Sequence, residues 1–239
     1  MNSTNIEATA RLFPVRWRIL DGSMIKILAV VLMLIDHIAH LFGIGSDLVL
    51  LTVGSSELTL YEALRYMGRL AFPLFAFLLV EGFLHTRNRK KYALRLAIFA
   101  AISEIPFDLF RSGKLFFERQ NVFFTLLLGF LALCALEKLV GWKRVLCVIG
   151  LFGIAYFLRA DYAQTGYMMI LLLYALRSIP VLRALSITTV IGIPAGAAAL
   201  PIALYNGERG CIKGRVAGIA FYAFYPAHLL LLVLIKFLL

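Results

Sequence analysis

KILAVVLMLIDHIAHLF, residues 26–42, decides what kind of protein this is. A helix that crosses a bilayer needs about 20 mostly apolar residues. This run, extended to residues 24–44, supplies them, yet it carries Lys26, Asp36, His37 and His40. Charges inside membrane spans are expensive and mark functional sites by default. Lys26 and His37 stand 11 positions apart, which at 100° per residue is three full turns. They therefore share one helix face, about 16 Å apart along the axis. Asp36 and His40 are spaced i, i+4.

The composition agrees with this reading. Of 239 residues, 62% are hydrophobic and 15% charged, the formal net charge is +11, and the mean hydropathy is +0.90. Soluble domains carry about 25% charged residues, so a soluble globular domain and a disordered chain are both excluded. The basic residues punctuate apolar runs, which is a topology signal and not a nucleic-acid footprint. Cys134, Cys147 and Cys211 have no metal-ligand spacing, so neither zinc nor a disulfide framework is expected.

Apolar periodicity predicts an all-α, polytopic transmembrane bundle of about eight spans, near 24–44, 68–85, 94–110, 121–137, 142–158, 162–177, 183–205 and 217–238. Residues 1–23 read as a basic interfacial lead-in without a signal peptide, and 24–239 as one transmembrane domain. The stretch 85–95, HTRNRKKYALR, carries five basic residues and no acid. With eight spans, fifteen basic residues fall on one side and nine on the other, which predicts cytoplasmic N- and C-termini. One loop, with Arg209, Lys213 and Arg215, then opposes the rule.

Several polar groups inside the spans are candidates for chemistry. His37 is either a general base oriented by Asp36 or a histidine satisfied by a neighbouring helix. Glu81 and His85 are i, i+4 partners above the kink expected at Pro73. Glu104 and Asp108 are one turn apart, available to an acceptor or to Arg69 and Arg111. Gln120, Asn121 and Thr125 open the fourth span as ligand-bonding groups or caps. Tyr222, Tyr225 and His228 lie in the last span. Neither a P-loop nor GxGxxG, GxSxG, HExxH or His-x4-Asp occurs.

The runs IKILAVVLMLIDHIAHLF (25–42), RLAFPLFAFLLVEGFLHTRNRKKYALRLAIFAAISEIPFDL (69–109), QNVFFTLLLG (120–129), DYAQTGYMMILLLYALR (161–177), YNGERG (205–210) and FYAFYPAHLLLL (221–232) resemble the TraX family, named for the conjugative F-pilin acetylase. The first span also resembles the wider transmembrane acyltransferase group, including acyltransferase-3 proteins and heparan-glucosaminide acetyltransferase. Those carry an Arg, ten residues, then a His; here Lys26 and His37 hold these positions. Lysine lacks the bidentate fork of arginine.

The resemblance implies an integral enzyme of a bacterial cytoplasmic membrane that transfers acetyl from cytoplasmic acetyl-CoA to an amine or hydroxyl at or across the bilayer. The acceptor is a peptide, a glycan or a lipid-linked sugar. His37, with Asp36, would act as general base or acyl carrier. Lys26, Arg87, Arg89, Lys90, Lys91 and Arg95 would receive the anionic donor head. Glu81, Glu104, Asp108, Gln120, Asn121, Tyr225 and His228 would face the acceptor, and no metal is expected. Read without the resemblance, the buried His and carboxylates also suit a small proton-coupled transporter or a passive assembly subunit.

Overall fold

Asp21 fixes where the first long helix begins. Its carboxylate accepts from the backbone N–H groups of Ser23 (2.7 Å) and Met24 (2.8 Å), two donors that a helix start leaves unpaired. Helix α1 runs Gly22–Phe42 and stops at Gly43, whose φ of 61° is left-handed. The computed structural model describes residues 14–53, 56–116 and 118–239. The basic lead-in expected for residues 1–23 thus lies outside the described residues over 1–13. Within the remainder, Val15–Trp17 form one 3-10 turn.

After α1 the chain forms an antiparallel hairpin, β1 (Val49–Val53) and β2 (Ser56–Thr59). Thr59 then caps α2 (Leu60–Gly68) in a capping box with Glu62. The sequence reading treated this stretch as loop. Helix α3 (Ala71–His85) continues from α2 after a two-residue turn. Helix α4 (Arg89–Ser112) starts earlier than expected, because the Asn88 side chain caps Lys91 N at 2.9 Å. Then follow α5 (Val122–Lys138), α6 (Gly141–Phe157) and α7 (Ala163–Ala175).

The expected seventh span, 183–205, is broken into α8 (Pro180–Ile191), α9 (Ile193–Gly196) and α10 (Ala199–Ala203). Gly192 takes φ 117°, a conformation open to glycine, and Pro194 supplies no N–H to carry the ladder onward. Helix α11 (Arg215–Leu238) closes the fold. The chain is mostly helical, and three segments, Gly22–Phe42, Leu60–His85 and Val216–Leu238, are long and apolar enough to cross a membrane. In the first and last of these only 28% of the apolar window is buried within the protein, which leaves apolar flanks for lipid.

The contacts between helix ends sort the bundle into two ends. At one, Arg89 meets Glu137 at 2.6 Å, and Tyr174 Oη donates to Glu137 at 3.1 Å. This joins the start of α4 to the ends of α5 and α7. The segment 204–208 hydrogen-bonds to Leu20 and Gly22 at the start of α1, and Lys26 Nζ lies 5.8 Å from the Phe221 ring near the start of α11. At the far end Arg65 meets Asp36, Arg111 meets His40, and Arg159 meets Glu118.

Helix α11 therefore runs in the same direction as α1, and its C-terminal end lies opposite the start of α1. Segment α8–α10 enters and leaves at the basic end as a helical hairpin, with Gly196 against Thr188. The start of α1 and the end of α11 thus stand at opposite ends of the bundle. The break at Gly192 and Pro194 turns the chain back. The loop bearing Arg209 and Lys213 packs against the start of α1, at the basic end.

Candidate functional site

The entrance to the site is a latch between the start of α1 and the loop before α11. Leu20 N donates to Leu204 O (3.1 Å), Asn206 N to Leu20 O (2.9 Å) and Gly22 N to Glu208 O (2.8 Å). Ser23 Oγ donates to Arg209 O (3.1 Å) and accepts from Ile212 N (2.7 Å). The approach is too close for a side chain: a Cβ on Gly22 would stand 3.2 Å from Arg209 O, while Gly210 takes φ +77° beside Asp21. The latch holds Arg209 beside Lys26.

Both line a cavity of about 410 Å³ bounded by α1, α3, α4, α5 and α11, a size that suits a small-molecule ligand. Lys26, His85, Arg95 and Arg209 stand around its outer part, at the basic end. Leu78, Leu79 and Phe221 make apolar walls, and Met33, Phe123 and Tyr225 close the inner part. Glu81 also lines it and accepts from the Tyr205 hydroxyl. Burial and this carboxylate push the Tyr205 phenol up to about 12, so it remains a donor.

Behind the inner wall, the Tyr225 ring is 6.3 Å from the His37 ring and 5.7 Å from that of His228. His37 Nδ1 and His228 Nε2 are 2.7 Å apart. The two rings lie within 6° of parallel with centroids 5.0 Å apart. That separation is the N···N distance plus two ring radii, so the rings meet edge to edge in one plane. His228 Nδ1 is 2.8 Å from Phe224 O, and a carbonyl only accepts, so this nitrogen carries the hydrogen. In the neutral pair His228 Nε2 is then the acceptor and His37 Nδ1 the donor. His37 Nε2 is left with a lone pair, the form required of a base. Phe110 packs 4.9 Å from the His37 ring.

Asp36 takes another direction. Its carboxylate pairs with Arg65 at 2.7 Å, so the group that orients His37 is His228. His40 accepts from Arg111 Nη1 at 3.1 Å. Asp161, between α6 and α7, is half-buried, and its desolvation pushes the carboxyl up against the opposing charges of Arg111, Arg119 and Arg65.

The other expected site residues divide. Arg95 and Lys26 reach the cavity. Arg89 does not, since it pairs with Glu137 and lies over the Phe83 ring at 4.2 Å. Arg87, Lys90 and Lys91 are exposed at the basic end, outside the cavity lining. Glu81 lines the cavity. Glu104 bonds the backbone and side-chain amides of Asn121, which also reaches Ala100 O at 2.8 Å. Asp108 accepts from Phe116 N at 3.0 Å, and the Gln120 carbonyl accepts from Asp161 N at 2.8 Å. These four brace the α4–α5 turn, and their hydrogen bonds go to backbone and to each other. Among the described residues no cluster suits a metal ion. In the sequence Arg209 is legible only as a charge opposing the topology rule; the latch is what brings it to the cavity beside Lys26.

The family model described as TraX protein matches residues 21–236. The chain belongs to the TraX family. The match takes in the cavity, the His37–His228 pair and all of the latch except Leu20. "Probable fimbrial assembly protein FimC, serogroup H1" of Dichelobacter nodosus is 35% identical over 241 aligned positions, covering 87% of this chain and 92% of that relative. No solved structure matches.

Proposed function

We propose that this TraX-family chain is an acetyltransferase of the bacterial cytoplasmic membrane that takes acetyl from acetyl-CoA at the basic end. One observation carries the reading: a basic-rimmed cavity of about 410 Å³ ends on Tyr225, which touches the His37–His228 pair. Lys26, Arg95 and Arg209 suit the phosphates of the donor, and the apolar walls suit a thin pantetheine arm. The donor supplies an activated acetyl as a thioester. His37 Nε2 accepts the proton of an acceptor amine or hydroxyl as its heteroatom bonds to the carbonyl carbon. The C–S bond breaks, and the departing thiolate takes up a proton. His228 holds the His37 tautomer that this step needs. The FimC relative's printed role makes a fimbrial subunit the first acceptor to test.

Titration calorimetry of CoA into the purified protein tests the donor half. We expect saturable binding, weakened about 10-fold by Lys26→Ala or Arg209→Ala, since hydrogen bonds to charged groups contribute about 1.5–3 kcal/mol. Binding of pantetheine, which lacks the diphosphate and the 3′-phosphoadenosine, should change little with either substitution. CoA binding that is absent, or unmoved by both substitutions, overturns the assignment.

By the charge rule the basic end faces the cytoplasm. Seven crossings with α8–α10 as a re-entrant hairpin then put the end of α11 outside. Alkaline phosphatase fused after Leu239 should be active and green fluorescent protein dark; the reverse result would restore eight crossings.

A further inference from the structure

The far face of the histidine pair carries more positive charge than its carboxylates neutralise. Arg65, Arg69 and Arg111 all act electrostatically on Asp36, and Arg65, Arg111 and Arg119 on Asp161. Asp36 is matched to Arg65, and Asp161 is the other carboxylate in this group. Arg111 donates to His40, an uncharged partner in the neutral ring, and Arg69 stacks on the Tyr66 ring at 5.2 Å. Neither has a carboxylate within ion-pair distance among the described residues. Arg69 is exposed, and Arg65, Arg111, His40 and His37 are partly so, which makes this cluster reachable from outside the protein and not a sealed core. Arginine residues left without a counter-ion at the edge of a membrane bundle are costly unless something anionic meets them. The guanidinium fork matches carboxylate and phosphate oxygens.

We infer that the cluster of Arg65, Arg69 and Arg111 is an anion subsite for the acceptor, taking a carboxylate or phosphate carried a few bonds from the amine or hydroxyl that meets His37. This rests on the acetyltransferase reading for its use, but the subsite is testable without turnover. In such an acceptor the anion anchors on the guanidinium groups while the nucleophile points inward. A neutral analogue would leave Arg69 and Arg111 unmatched.

The test is equilibrium dialysis of the full chain in nanodiscs of zwitterionic lipid, with radiolabelled O-phosphoethanolamine and β-alanine as anionic probes and ethanolamine as the neutral one. We expect saturable binding of at least one anionic probe and at least 10-fold weaker binding of ethanolamine. Arg69→Gln should weaken the anion at least 5-fold. The paired change Asp36→Asn with Arg65→Gln removes both charges together and avoids stranding a carboxylate; it should also weaken the anion. Binding of O-phosphoethanolamine alone identifies a phosphate source, and binding of β-alanine alone a carboxylate one. No saturable binding of either anion, or binding unmoved by both variants, overturns the subsite. CoA titration of the same samples reports on the donor cavity independently, so loss of CoA binding with anion binding intact would sink the acetyltransferase reading and leave the subsite.

Discussion

Replacing His37 by alanine is expected to lower acetyl transfer from radiolabelled acetyl-CoA by about 10³-fold, within the range that a positioned base contributes. The geometry behind this is specific. His228 Nδ1 is committed to Phe224 O, so His228 Nε2 holds the hydrogen of His37 Nδ1 and His37 Nε2 alone remains basic. CoA affinity should be unchanged, because His37 lies outside the cavity lining. A structural role for His37 would instead reduce binding and thermal stability together. His228→Leu should lower transfer about 10²-fold by freeing the His37 tautomer, and His228→Gln should restore part of it, since its amide oxygen accepts from His37 Nδ1. The pH profile of the wild type should fall on the acid side, where protonation removes the His37 lone pair. Full transfer by His37→Ala would exclude it as the base.

The second large effect is expected at Gly68, where α2 gives way to α3. A Cβ built there falls on the Asp36 carboxylate. Gly68→Val must push α2 away from α1, breaking the 2.7 Å pair of Arg65 with Asp36. Overpacking of this kind costs about 1–3 kcal/mol, and loss of the pair adds to it. For a chain of this size each kcal/mol lowers Tm by about 2–4 °C. A fall of about 5–10 °C is expected by a thermal-shift measurement in detergent. An unchanged Tm would show that the helices separate here without cost. Gly43→Ala is the control, because no atom lies within 4 Å of a Cβ there, although its φ of +61° is mildly strained.

Helix positions were the most legible feature. Runs such as 26–42 and 217–238 can be satisfied in lipid only as helices, because no water is present to pair their backbone groups. Most of the expected spans coincide with observed helices to within a few residues. The boundaries that differ do so through local caps: Asn88 begins α4 early, and Thr59 with Glu62 starts α2 in a stretch read as loop. The cap residues were visible; their use depended on which backbone donors tertiary packing left unpaired. Lys26 and His37 on one face were legible too, because helical spacing fixes them.

By itself, then, the sequence determined a helical membrane protein, the positions of its long helices, its family resemblance and His37 as the residue to watch. Apolar periodicity and spacing along one helix are local properties, and local properties can be read from a chain. The tertiary structure decided everything that depends on which helix end meets which. It turned α8–α10 back on itself, brought Arg209 to Lys26 through the latch, paired Asp36 with Arg65, and gave His37 its partner in His228 from the last helix. Those pairings join positions that no sequence period connects. Only the folded bundle separates the cavity lined by Lys26 and Arg209, on one side of the histidines, from the arginine cluster on the other.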